Sequence, residues 1–244
     1  MLITSKSNPV ARELASLKEK KGRKQRGTFL IEGYKMVREC VKSGALELVR
    51  LVVREDYAGE TYDLPTVLLG KDAFSAVCDE KTPQGIAAEA RIPARKVEPP
   101  RKRCLLLDGV SDPANVGAIV RTAVAAGYEE LYLVDCADPY APKSVRASMS
   151  GVLFAKLMQG SREEVLSVLE GVPLIAADMH GENVFAFAPP EKFCLCIGSE
   201  AHGLSEEVRG AANYTVKIPM DKRTESLNAA VSAGILMYTL TSNK

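Results

Sequence analysis

The sequence predicts an α/β protein built in two units, and three observations carry that expectation. Short apolar runs alternate with helix-period segments along most of the 244 residues. The later runs are continuously apolar, as strands buried on both faces of a parallel sheet are. Between the halves lies RIPARKVEPPRKR, residues 91–103, rich in proline and charge and almost without apolar periodicity. It is read as a linker joining a first unit, residues 1–90, to a second, residues 104–244.

The elements follow in order. Residues 8–21 form a basic helical pattern, and TFLIEG (28–33) is a short strand running into a helix over 34–43. LELVRLVVR (46–54) and LPTVLLG (64–70) are strands, DAFSAVCD (72–79) a short helix and GIAAEA (85–90) a closing strand. Past the linker, strands are expected at 105–110, 131–135, 173–178, 194–199 and 214–219. Helical patterns cover 115–126, 143–150, 162–170 and 226–241, with a short turn near 205–210. Taken alone, this alternation suggests an open doubly wound sheet, which binds ligands outside the carboxyl ends of its strands. Several polar clusters fall at those ends.

Composition narrows the class. Apolar content of 46% and charged content of 26% are ordinary for a globular protein. No apolar run approaches the roughly 20 residues needed to span a bilayer, so no membrane partner is expected. The opening MLITSKSNPVARELASL lacks a signal-peptide core, which predicts a cytoplasmic protein. Six cysteines without any CxxC pair read as buried free thiols, and no metal site is expected. The net charge of +1 conceals an asymmetry: residues 1–26 hold eight basic groups against Glu13 and Glu19, and residues 91–103 hold six against Glu98. Localised positive charge suits phosphate binding; a solvated helix face plus a charged linker is the alternative.

Three polar clusters carry the candidate chemistry. In DGVSDPANVGAIVRTA (108–123), Asn115 reads as the N-cap of the following helix, whose core stripe is Val116, Ile119, Val120 and Ala123. Arg121 lies off that stripe and faces the rim, as a site residue or an ordinary surface arginine. Gly117 permits a close approach. In CIGSEAHGLSEEV (196–208), the glycines allow a loop that points backbone groups inward. Glu200 either holds that loop or meets substrate, His202 reads as a loop residue, and Ser205 as a cap. In IPMDKRTESLNAAVSAGILMY (218–238), Glu225, Ser226 and Asn228 crowd against an apolar helix. Ser226 is the expected N-cap, Asn228 is left unexplained by capping, and Gly234 suggests tight packing against another backbone.

DPANVGAIVRTA, IGSEAHGLS and IPMDKRTESLNAAVSAG, in that order and at those separations, resemble the three signature motifs of the SpoU (TrmH-like) RNA ribose 2′-O-methyltransferases, of the SPOUT class. SKSNPVARELASL, GTFLIEG and KTPQGIAA are similar to the L30e-like RNA-binding domain that precedes the catalytic domain in such proteins. The resemblance covers essentially the whole chain. It implies S-adenosylmethionine as methyl donor, a deep trefoil knot in the C-terminal SPOUT domain, and a homodimer through that domain. It implies RNA as substrate, and the separate N-terminal domain, suited to recognising a structured site, favours ribosomal over transfer RNA. It places Asn115, Arg121, Glu200, Ser226 and Asn228 on active-site positions, and backbone around Gly198, Ile218, Met220 and Leu227 on the cofactor. Lys222 stands where the family often has glycine, which adds a phosphate contact or stiffens the loop. Two other classes compete: a non-catalytic RNA-binding protein on the same scaffold, and a nucleotide-dependent dehydrogenase. The latter would require a GxGxxG after its first strand, and none is present.

Overall fold

The computed structural model describes residues 1–224 and 226–242, so Glu225, singled out above, lies outside the described residues. The first unit comprises β1 (Leu2–Ile3), α1 (Pro9–Ser16), α2 (Lys20–Arg26), β2 (Thr28–Glu32), α3 (Tyr34–Ser43), β3 (Leu48–Arg54), β4 (Thr66–Leu69), α4 (Lys71–Val77) and β5 (Ile86–Arg91). Its sheet has the order β1-β4-β3-β5-β2, with β5 antiparallel to both neighbours and the other pairs parallel.

The single basic helix expected over 8–21 is two helices. A Cβ at Gly22 would come within 2.1 Å of the Ser16 carbonyl oxygen, so α2 folds back onto the end of α1. The turn is held by Arg23, whose guanidinium donates to the carbonyls of Leu17 (2.8 Å) and Lys18 (2.7 Å). Beside this turn Glu89 is fully buried, accepting from Thr28 Oγ1 and Arg50 Nε, each at 2.6 Å, and from Arg26 at 3.4 Å.

Residues 92–103 carry no helix or strand. The second unit comprises β6 (Cys104–Asp108), α5 (Pro113–Ala125), β7 (Glu130–Val134), α6 (Pro142–Ser148), α7 (Gly151–Phe154), β8 (Lys156–Gln159), α8 (Arg162–Val168), β9 (Leu174–Asn183), β10 (Cys194–Gly198), α9 (Glu206–Ala211), β11 (Tyr214–Lys217) and α10 (Ala229–Ser242). All its strand pairs are parallel, in the order β11-β9-β10-β6-β7-β8. The doubly wound order would run third, second, first, fourth, fifth, sixth. Here the fourth and fifth strands are exchanged, which corrects the open doubly wound expectation. Apolarity accounts for the exchange. In β10, Cys194, Leu195 and Cys196 are completely buried and take the centre, whereas β9 ends in the polar DMHGEN and lies further out.

The α5 stripe of Val116, Ile119, Val120 and Ala123 is buried as expected. Gly117 also behaves as expected, since a Cβ there would meet the Ser144 carbonyl of α6 at 2.2 Å. Gly234 does not. A Cβ at that position would meet only the Thr122 methyl at 3.5 Å, an ordinary contact, so no close backbone within the chain requires the glycine. The two units share one apolar cluster running from Phe29 and Ile31 to Tyr140 and Val145.

Candidate active site

A cleft of about 500 Å³ opens along β9 and beyond the carboxyl ends of β10 and β11. The second and third motifs line it and the first meets it through Glu200, each by its own local chemistry. After β6 the chain turns into α5 through Asp112, whose Oδ1 accepts from Ala114 N at 2.9 Å, with Pro113 in the first helical position. Asp112 is therefore the cap, which corrects the assignment to Asn115. Asn115 sits inside the first turn with its side chain free for other partners.

After β10 the loop closes on itself. Ser199 and Gly203 exchange two backbone hydrogen bonds of 2.9 Å, and Gly203 has φ +69°. A Cβ at Gly198 would lie 2.1 Å from the Gly203 carbonyl carbon, so only glycine fits. Ser205 caps α9 as expected, accepting from Val208 N at 3.4 Å. His202 is an exposed loop residue, and its backbone N–H donates to Ser199 Oγ at 3.1 Å.

At α10 the expected roles reverse. Asn228, not Ser226, is the cap: its Oδ1 accepts from Ala230 N (2.9 Å) and Val231 N (3.3 Å). Helical geometry begins only at Ala229, three residues later than the 226 expected, which leaves Ser226 exposed on the cleft wall.

These loops converge. Asn115 Nδ2 donates to Glu200 Oε1 at 2.7 Å, and Asn228 Nδ2 donates to Asn115 Oδ1 at 3.0 Å. The amide of Asn115 thus joins three motifs in one chain of hydrogen bonds. It makes no hydrogen bond to the Arg121 guanidinium. That arginine is exposed on α5, about 9 Å further along the helix axis, and has no ion pair among the described residues. Gly198, Ile218, Met220 and Leu227 all line the cleft, beside Glu200 and Ser226. Lys222 is exposed in the turn before α10.

Sequence reasoning missed two participants. Asp178, the last residue of its expected strand, lines the cleft, and β9 runs on past it to Asn183. Asp108, the last residue of β6, is buried and accepts from Ser205 N and Arg162 at 2.8 Å each. Burial alone would raise its pKa, but these bonds win and hold the carboxyl below its usual range. The signal was there: a carboxylate closing a fully apolar strand requires partners.

The cleft suits S-adenosylmethionine. Apolar side chains such as Ile197, Ile218 and Leu236 offer a surface for a flat adenine ring. Glu200 supplies negative charge for a ligand bearing a sulfonium and an ammonium, and Asp178 adds a second carboxylate already paired with Arg209 at 3.5 Å.

A parallel α/β unit whose convergent loops join Glu200, Asn115 and Asn228 in one hydrogen-bond chain beside such a cleft fits a group-transfer enzyme. The particular family follows from comparison. The model of the SpoU rRNA methylase family matches residues 102–238, and that of an MRM3-like substrate binding domain matches residues 8–88. The 23S rRNA (guanosine(2553)-2′-O)-methyltransferase RlmP of Bacillus subtilis is 33% identical over 98% of both chains. A crystal structure of an RNA 2′-O ribose methyltransferase superimposes with a TM-score of 0.84 at 31% identity, covering 100% of this chain and 99% of that one. The SpoU methyltransferase AviRb of Streptomyces viridochromogenes, in complex with AdoMet, gives a TM-score of 0.86 at 27% identity, covering 96% and 98%. The chain belongs to the SpoU rRNA methylase family. The expected class, an S-adenosylmethionine-dependent RNA ribose 2′-O-methyltransferase, is borne out by these relatives.

Proposed function

We propose that this chain transfers the methyl group of S-adenosylmethionine to a ribose 2′-hydroxyl of ribosomal RNA. The observation that carries the reading is the Glu200–Asn115–Asn228 hydrogen-bond chain at the cleft, which joins side chains from three distant stretches. Methyl transfer from a sulfonium to an alcohol is an in-line displacement that needs an oriented, polarised hydroxyl and no metal.

The residues divide that work. A guanidinium is a multiple hydrogen-bond donor and a poor proton acceptor, so Arg121 clamps the adjacent phosphate and stabilises developing alkoxide charge. Asn228 spends its oxygen on the α10 cap and one N–H on Asn115, leaving its second N–H for a ribose oxygen. Ser226 adds a hydroxyl on the same wall, and Glu200 fixes Asn115. Backbone at Gly198, Ile218, Met220 and Leu227 holds the cofactor.

Residues 1–90 serve as the RNA-holding domain, 91–103 as linker and 104–244 as the catalytic domain, in line with the substrate-binding model matched at 8–88. The exchange of β9 and β10 and the packing of α10 on α5 support the family's trefoil knot. Ribosomal RNA is preferred because RlmP, alike over nearly the whole chain, bears a name that assigns it to 23S rRNA. A homodimer through α10 is supported by Val231 and Tyr238, each about half exposed on one helix face. The cytoplasm, where ribosomal RNA is processed, is its expected place.

Ribose-methylation mapping of total RNA with and without the gene tests the reading. Loss of one ribosomal 2′-O-methyl mark is expected. A loss confined to transfer RNA would overturn the substrate, and an unchanged map would leave a non-catalytic RNA-binding protein.

A further inference from the structure

The segment between β7 and β8 touches both units, and it does so with complementary faces. Towards the first unit it presents polar partners. Asp138 accepts from Arg23 Nε (3.0 Å) and Nη2 (2.7 Å), with the arginine side chain 4% exposed. Arg146 donates to Asp79 at 2.7 Å, and Ser150 donates to Glu39. Phe29 of β2 meets Tyr140 with ring centroids 4.9 Å apart. Towards the catalytic helix α5 the same segment presents backbone without clearance. The Ser144 carbonyl sits where a Cβ on Gly117 would fall, and a Cβ on Gly151 would lie 2.8 Å from the Arg121 Cα. Between these contacts Met149 holds φ +49° and ψ −130°, a conformation that side-chain-bearing residues rarely adopt.

We infer that residues 138–151 are a positioning wedge, which transmits the seat of the RNA-holding unit to Arg121 and so sets that arginine's placement for methyl transfer. The inference rests on the proposed role of Arg121 and of residues 1–90. Its physical basis is that α5 has no slack against the wedge: glycines at 117 and 151 put backbone on backbone, and a rigid contact passes displacement on. On the other side a buried ion pair fixes orientation more than it stabilises, because its desolvation offsets its attraction. Arg23, Asp138, Arg146 and Glu39 are positioning residues; none lines the cleft.

The test compares full-length variants with the parent enzyme, using ribosomal RNA from cells that lack the gene and a labelled methyl donor. Asp138→Asn should lower the single-turnover rate at saturating RNA and cofactor by tenfold or more. RNA affinity should stay within threefold and S-adenosylmethionine affinity within twofold. A merely structural role would move cofactor affinity with the rate, and that parallel loss would overturn the inference. So would a rate within twofold of the parent. Should Asp138→Asn not fold, the exposed double variant Glu39→Gln/Arg146→Gln decides: a fivefold fall in rate at unchanged cofactor affinity supports the wedge, and a rate within twofold of the parent overturns it. Absence of activity in the parent itself would instead count against the proposed function.

Discussion

Arg121 illustrates how one side chain can be placed by its surroundings and still stand alone. It has no salt-bridge partner among the described residues, so its charge is available to a phosphate. Arg121→Ala should abolish methyl transfer while leaving S-adenosylmethionine affinity within twofold, measured by calorimetry. Arg121→Lys should not restore it, because a point charge cannot reproduce a two-pronged clamp. Glu89 is the opposite case, a carboxylate with every partner supplied. Burial pushes its pKa up, but Thr28, Arg50 and Arg26 outweigh burial and hold it below the ordinary 4.5. A depressed folded-state pKa means the stabilisation is complete above the unfolded value and is lost as pH falls through the folded one. Glu89→Gln should therefore cost about 1.5–3 kcal/mol at pH 7, and its stability should fall less steeply than the parent's below pH 4.5 in chemical denaturation.

Among the elements, α10 has the most to explain. Ala229, Ala233, Leu236, Met237 and Leu240 face the chain's own core, while Val231 and Tyr238 face out. A helix apolar on two sides calls for a second surface, and a two-fold copy is the commonest supply. The proposed homodimer predicts that Tyr238→Glu shifts light scattering towards monomer and lowers activity at least tenfold, with the circular dichroism unchanged. The same helix shows what a sequence can and cannot announce. Its apolar body was legible from periodicity, and the motif loops at 115, 200 and 226–228 from their polar residues set against apolar runs. Its start was not, because Ser226 and Asn228 are both good caps and only the path of the chain selects between them. β8 escaped notice because KLMQ is four residues with polar ends, and β1 because it is two residues long. The exchange of β9 and β10 had no periodic signature, since alternation fixes a strand's faces and says nothing of its neighbours.

At the scale of the whole molecule, charge is sorted by what is already paired. Arg23 and Arg26, counted at first with the basic N-terminal segment, are committed to Asp138 and to Glu13 and Glu89. Lys20, Lys21 and Lys24 have no ion pair among the described residues and are the free cations of α2. Replacing these three with glutamine should weaken RNA binding and flatten its logarithmic salt dependence by about 0.7 per lost contact, read from titrations at several salt concentrations. An unchanged slope would return them to the solvated-face reading. The Asn115 amide that links the motifs has a consequence for how the enzyme comes into being. Its partners lie 85 and 113 residues away along the chain. Contacts that distant form late, after the closure entropy of the intervening loops has been met. In refolding from denaturant, helix content should therefore recover before the ability to bind S-adenosylmethionine. On the RNA-binding role proposed for α2, a newly made chain would pass through an interval in which that helix meets RNA before any methyl group can be delivered to it.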